Sequence, residues 1–167
     1  MNDDELEAVY DAHASGLFHY LATITKTEAD ARDLLQELFI KLAKGASGSA
    51  HNQKAFLYRM AHNLAIDWLR RQRARLDSED RLQKEHAPSE QSAVDPDTAL
   101  LARGFEEAMK TLPDEQRTVA QLKLWDSLTF EEIAEAQGIP LNTAASRYRY
   151  ALEKLRSLLR PFYTELQ

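Results

Sequence analysis

The sequence predicts an all-α protein of two small domains joined by a polar linker, and three observations support this. Apolar residues recur at spacings of three and four along most of the 167-residue chain, with almost no alternating stretch. Glycine and proline number five each, so long helices go uninterrupted. The segment from Leu76 to Asp97, LDSEDRLQKEHAPSEQSAVDPD, is acidic and nearly devoid of large apolar residues. It cannot bury enough surface to order itself, and as a flexible linker it separates residues 1–75 from 98–167.

The elements follow in order. Leu6, Val9, Tyr10, His13, Leu17, Leu21 and Ile24 mark a first helix, and a second begins near Glu28 with Leu34, Leu35, Leu38, Phe39 and Leu42 on one side. The small and polar run GASGSAHNQ, from Gly45 to Gln53, interrupts the pattern. A third long helix then carries Phe56, Leu57, Met60, Ala61, Leu64, Trp68 and Leu69. Beyond the linker, Leu101, Phe105, Ala108, Met109 and Leu112 share one helix face. Another helix opens at Pro113 with Asp114 and Glu115 in its first turn, where carboxylates complement the helix dipole.

The stretch from Leu128 to Leu159, LTFEEIAEAQGIPLNTAASRYRYALEKLRSLL, reads as two amphipathic helices joined by a glycine-centred turn. Thr129 and Glu132 are spaced for a capping box, and Leu128 can staple onto Ile133. Gly138 suits the left-handed residue that ends a helix, Pro140 the first turn of the next, and Ala134 a close helix crossing. On the second helix Leu141, Ala144, Tyr148, Leu152, Leu155 and Leu159 form the expected buried stripe. Opposite stand Asn142, Thr143, Ser146, Arg147, Arg149, Tyr150, Lys154 and Arg156. All the cations of this stretch lie on its second helix, which favours a DNA-reading helix-turn-helix over a hairpin that basic residues merely solvate.

Charge supports two contacts with polyanion. The net charge is −6, yet residues 45–75 carry six basic groups against one acidic and residues 138–167 five against two, while the segments between them are acidic. In the third helix Arg59, Asn63, Asp67, Arg70 and Arg71 share the solvent face, and no core can use five arginines. Cations beside an amide suit phosphate anchoring with local base readout. One or two of the arginines would be explained by their own helix C-terminus alone. On the second helix Ile40 stands out on a face with Asp33, Gln36, Glu37, Lys41 and Lys44. It is either a docking point for a basic partner helix or a stray exposed apolar residue.

Several chemistries are excluded or find no support. There is no cysteine, so disulfides, thiolate metal sites and thiol catalysis are out. The histidines at 13, 19, 51, 62 and 86 make no HExxH or ExxH pair; His13 is expected in the core, His19 and His86 at the surface. No phosphate-binding glycine loop or nucleophile elbow occurs, so no catalytic residue, metal or cofactor is expected. No apolar run is long enough for a membrane span and the N-terminus is acidic, so a cytoplasmic protein without membrane insertion is expected.

Three segments, ADARDLLQELFIKL, FLYRMAHNLAIDWLRRQRAR and LPDEQRTVAQLKLWDSLTFEEIAEAQGIPLNTAASRYRYALEKLR, together resemble bacterial sigma factors of the extracytoplasmic-function (ECF) family in order and spacing. The resemblance covers nearly everything but the linker. It implies that residues 1–75 bind core RNA polymerase and the −10 promoter element, that 98–167 read the −35 element, and that 76–97 thread the polymerase between them. By the same resemblance Asp33, Gln36, Glu37 and Ile40 would grip the polymerase clamp. Ser49, His51 and Asn52, with Arg59, Asn63, Asp67, Arg70 and Arg71, would bind single-stranded −10 DNA. Asn142, Thr143, Ser146, Arg147, Arg149, Tyr150 and Lys154 would bind −35 duplex. An anti-sigma factor is a candidate partner, and the free protein is expected to be a monomer.

Two positions depart from the family pattern TVKSRxxRA: Ala145 replaces a usual cation and Tyr150 a usual arginine. Weaker −35 affinity or altered preference is expected, since Arg147 and Arg149 remain and Tyr150 can still bond or stack. With the net acidity, this leaves a second class of function: a sigma mimic that occupies an anti-sigma factor or polymerase without reading DNA. The arginine-rich third helix argues against it.

Overall fold

The structure, a computed structural model, describes residues 1–48, 52–77 and 96–165. The described residues form helices and no strand: α1 (Asp3–Thr25), α2 (Glu28–Ala43), α3 (Gln53–Leu76), α4 (Pro96–Thr111), α5 (Asp114–Leu124), α6 (Phe130–Gln137) and α7 (Leu141–Glu165). Most of the segment expected as a linker lies outside the described residues.

Local chemistry sets the helix ends. Asn2 and Glu5 close a capping box on α1, whose last carbonyls turn over Lys26 in the left-handed region at φ 62°. Thr27 caps α2 and Asn52 caps α3 through bonds to the Asp30 and Ala55 amides. In α6 the expected box is present: the Glu132 amide donates to Thr129 Oγ1 at 3.1 Å and the Thr129 amide to Glu132 Oε2 at 2.8 Å. Gly138 ends that helix at φ 64°, where a side chain would be strained. Pro140 stands just before α7 rather than in its first turn, its carbonyl accepting from the Thr143 and Ala144 amides.

The expected stripe of α7 needs one correction. Leu141 is 44% exposed, and Ala151 is fully buried instead. Ala144 and Leu155 are buried as their spacing indicates.

Helices α1, α2 and α3 pack around Leu17, Leu21, Leu34, Leu38, Leu57 and Leu64. Helices α4, α5 and α7 enclose a second core of Ala108, Met109, Leu112, Ala120, Ala151 and Leu155. Arg117 ties this unit together from inside. Its Nε donates to the Met109 carbonyl at 2.9 Å, Nη2 to those of Lys110 and Leu112 at 2.7 Å each, and Nη1 to Asp114 at 3.0 Å. One guanidinium thus satisfies the orphan carbonyls at the end of α4 and fixes the start of α5.

The two units share a seam. Val119, Leu122, Leu128, Ile133 and Ala136 of the second unit join the core of the first, with α6 lying on α3 and α5 on α1. Polar groups cross it as well. Tyr20 Oη lies 2.8 Å from His62 Nδ1 and 3.4 Å from Gln137 Nε2, which also donates to Thr118 at 3.1 Å. An amide nitrogen can only donate, so the hydroxyl accepts from Gln137 and keeps its own proton to offer a neutral imidazole. That fits His62, whose burial holds its pKa below the usual histidine range. Lys54 donates to the Asp126 carbonyl, and the Tyr58 hydroxyl donates to the Asp126 carboxylate. Gly16 admits that pair, since a Cβ there would overlap the Tyr58 hydroxyl and lie 2.7 Å from Asp126 Oδ1.

Asp126 is only 9% exposed and its Oδ2 has no hydrogen-bond partner. Burial pushes its carboxyl up to about 6, although the Tyr58 hydroxyl and Lys54 favour the charged form. A carboxyl whose pKa rises on folding is destabilising when ionised: the cost is absent well below the unfolded value of 3.8 and complete above about 6. The half-buried His13 and His62 act oppositely, since their lowered pKa values cost stability as the pH falls below 6.5. Asp126→Asn, which keeps an acceptor for Tyr58, should therefore be more stable than wild type at pH 8 by about 1 to 3 kcal/mol. The advantage should vanish as the pH falls from about 6 to 4, measured by urea unfolding. A pH-independent difference between the two proteins would contradict this assignment.

Candidate nucleic-acid and partner interfaces

Three exposed surfaces of different chemistry lie on three helices. On α2 the buried positions Ala31, Leu34, Leu35, Leu38 and Leu42 face the core, so the helical period turns Asp33, Gln36, Glu37 and Ile40 outward. Ile40 is 49% exposed, and Glu37 pairs with Lys41 at 3.3 Å.

On α3 the residues Arg59, Asn63, Asp67, Arg70 and Arg71 are all exposed and follow one another at roughly helical intervals along a single stripe. Asp67 pairs with Arg70 at 3.7 Å, an exposed contact that a polyanion can displace. Of the loop residues expected beside this stripe, Ser49 and His51 lie outside the described residues. Asn52 is already engaged: its Oδ1 caps α3 and its Nδ2 donates to Glu132 Oε1 of α6 at 3.3 Å. Next to the loop is a hollow of about 310 Å³ whose lining includes Val9, Leu42, Gly45, Ala46, Ser47, Gly48, Phe56 and Leu57. Gly48 presses on the Phe56 ring where a Cβ would overlap it.

On α7 Asn142, Arg149, Tyr150 and Lys154 are exposed, and Thr143, Ser146 and Arg147 are half-buried. Ser146 Oγ donates back to the Asn142 carbonyl at 2.7 Å, and the Arg149 guanidinium lies over the Tyr150 ring at 5.2 Å. Tyr148 anchors the helix by an edge contact with Phe130, ring centres 5.5 Å apart. Arg147 Nη2 meets Glu115 Oε2 of α5 at 3.2 Å.

The sequence pointed to these faces but not to the contacts that bridge them. Lys54 with Asp126, Asn52 with Glu132 and Glu115 with Arg147 join residues 72, 80 and 32 positions apart, which no local pattern encodes. His13 is half-buried beside Lys54 and His19 is exposed. Among the described residues no group of three His, Cys, Asp or Glu could hold a metal ion, and no helix is long and apolar enough to cross a membrane.

Comparison with known proteins follows the same division. Residues 9–75 match the Sigma-70 region 2 family and residues 108–157 the Sigma-70, region 4 family. The chain is 31% identical over 160 residues to the ECF RNA polymerase sigma factor SigL of Mycobacterium tuberculosis, covering 92% of this chain and 88% of the relative. It is 29% identical over 170 residues to the ECF RNA polymerase sigma factor SigW of Bacillus subtilis, covering 95% and 91%. Its fold is similar to that of the sigma factor RpoE of Bartonella quintana, solved in complex with the anti-sigma factor NepR. The TM-score is 0.74 at 20% identity, over 95% of this chain and 98% of that one. With both sigma regions matched in order on either side of the polar segment, and relatives aligned along almost the whole length, the chain belongs to the ECF family of RNA polymerase sigma factors.

Proposed function

We propose that α2 grips core RNA polymerase through Asp33, Gln36, Glu37 and Ile40, that α3 and the loop before it bind the −10 element, and that α7 reads the −35 element. As an alternative sigma factor the chain binds core polymerase and directs initiation at chosen promoters. The observation that carries the division of labour is the segregation of chemistry. An apolar residue among carboxylates stands on one helix and arginine stripes on two others, each opposite its own buried face. Phosphate contacts by Arg59, Arg70 and Arg71 would set position, Asn63 would read an unpaired base, and Ser49, His51 and Asn52 would border it. On α7, Arg147 is placed for a guanine edge, with Asn142, Thr143, Ser146, Arg149, Tyr150 and Lys154 around it.

The protein works in the cytoplasm as a regulator, without catalysis of its own. The fold shared with RpoE, which was solved with NepR, supports an anti-sigma factor as a further partner. A mimic that never touches DNA would have no use for the exposed arginines of α3. Run-off transcription with core polymerase on a randomised promoter library separates the two readings: a mimic yields no specific transcript.

Reading both elements requires the seam to open. Helix α7 lies on α6 and α6 on α3, so about two packing distances of 8–10 Å separate the two reading helices. The −10 and −35 elements lie about 25 base pairs apart, or about 85 Å at 3.4 Å per base pair. No rigid use of the closed form spans that.

Ile40→Ala with Glu37→Lys should weaken core polymerase binding by a few kcal/mol, as for a small hot spot, with unchanged helicity; unaltered affinity in a titration removes α2 from the interface. Asn63→Ala should cost about 1 to 3 kcal/mol of discrimination at one −10 position, whereas Arg70→Ala should weaken all promoters alike. Equal effects of both on every −10 variant would leave this face as an electrostatic anchor only. Because the chain has no cysteine, Lys26→Cys with Asp114→Cys, an exposed pair 3.6 Å apart across the seam, can be joined by a short reducible crosslinker to hold it shut. The crosslinked protein should fail to form a promoter complex with core polymerase and regain it on reduction; full activity while crosslinked would show that the closed form reads both elements.

A further inference from the structure

Glu115 has no evident reason to leave the first turn of its own helix. A carboxylate there is already favoured by the α5 dipole, and its neighbour Asp114 serves the fold by holding Arg117 at 3.0 Å and Lys26 of α1 at 3.6 Å. Glu115 instead reaches α7, where its Oε2 lies 3.2 Å from Arg147 Nη2. The glutamate side chain is 72% exposed and that of Arg147 only 25%, so the arginine stem is packed while its head is held by an acid at the rim.

We propose that Glu115 is a positioning residue for promoter recognition, holding the Arg147 guanidinium in the orientation in which it reads a −35 base pair. The proposal rests on the reading of α7 as the −35 helix. Arginine presents five N–H donors in a planar fork and a guanine edge uses two of them, so a carboxylate can take a third without competing. An arginine free in solution must surrender rotamer freedom when it binds a base; one held at both stem and head has surrendered it beforehand. The platform is rigid, because Arg117, two residues on, fixes the start of α5 to three carbonyls at the end of α4.

The same carboxylate repels phosphate. Glu115 therefore lowers affinity for every sequence alike while raising the contrast between right and wrong bases, and the two effects separate on substitution. This differs from the role of Asp114, whose partners are internal to the fold.

The test uses the full chain with core polymerase and competition between promoters differing at single −35 positions. Arg147→Ala should abolish preference at one position. Glu115→Ala should lower preference at that same position about two- to fivefold, the range of an exposed ion pair, while binding to all sequences tightens. Glu115→Gln, which keeps a carbonyl acceptor, should lose less, and the double variant with Arg147→Ala should match Arg147→Ala alone in preference. If Glu115→Ala tightens binding with every preference ratio intact, Glu115 is only an electrostatic brake and the positioning role is overturned. If Arg147→Ala itself leaves all −35 preferences intact, the assignment of Arg147 as a reader falls first and Glu115 falls with it.

Discussion

One buried carboxylate at the seam sets how tightly the two units can close. Asp126 sits in the turn between α5 and α6, shut against Gly16 of α1 and Tyr58 of α3, with one oxygen bonded and the other not. Burying a carboxylate without full pairing costs free energy, and the lowered His13 and His62 beside the seam show the same penalty from the opposite charge type. The apolar contacts of Val119, Leu122, Leu128, Ile133 and Ala136 must outweigh that cost for the units to close. A seam built this way is held but not sealed. When it opens, water takes over the cross-seam bonds of Tyr20, Gln137, Lys54 and Asp126, so separation recovers desolvation that a purely apolar interface would not return.

A closed form held partly by polar contacts suits the proposed division of DNA reading between α3 and α7, whose sites lie far apart. On the proposed role of α2, core polymerase would need only to supply the difference between the open and closed states from contacts with that helix, which packs on α1 and α3. None of the outward groups of α2 is spent on the seam, so docking and closure do not compete for the same atoms. Asn52 is the exception. It caps α3 and holds Glu132 at once, so the loop before α3 gains a free amide only when α6 leaves. On the proposed −10 role of Asn52, closure and recognition would compete for the same amide.

Much of the fold was legible because its signals are local. The capping box of Thr129 and Glu132, the left-handed Gly138 and the three-four spacing of Leu34, Leu38 and Leu42 each need only neighbouring residues, and each stands in the structure as the spacing indicated. Leu141 was misplaced because periodicity tells which face a residue takes but not how far along the helix that face is covered. The seam was illegible for a related reason: Tyr20, Gly16, Lys54 and Gln137 look like ordinary helix residues until tertiary packing brings them together. Arginine illustrates the same limit. Arg117 and Arg147 are identical in sequence terms, yet one laces carbonyls inside the fold and the other faces the rim. Only partners distinguish a structural arginine from one able to read DNA.

The two departures of α7 from the family pattern, Ala145 and Tyr150, gain a physical reading once the two proposed reading surfaces are considered together. Ala145 is partly covered on α7, and Arg149 rests on the exposed Tyr150 ring, so one aromatic face now steadies a cation that the family pattern would place beside a second arginine. Fewer cations mean fewer released counterions and a shallower dependence on salt for this domain alone. Promoter engagement is bivalent, however. Once α3 and polymerase hold the −10 region, α7 meets its site at an effective concentration that short tethers place in the millimolar range, so a −35 contact too weak to act alone still adds to the complex. Under that condition surplus phosphate affinity would chiefly strengthen binding to wrong sequences, whereas a steadied Arg147 or Arg149 strengthens the contrast between sites. On this reading the two cations missing from the α7 pattern and the acid at its rim would serve one end, selectivity carried by few contacts whose geometry is fixed in advance.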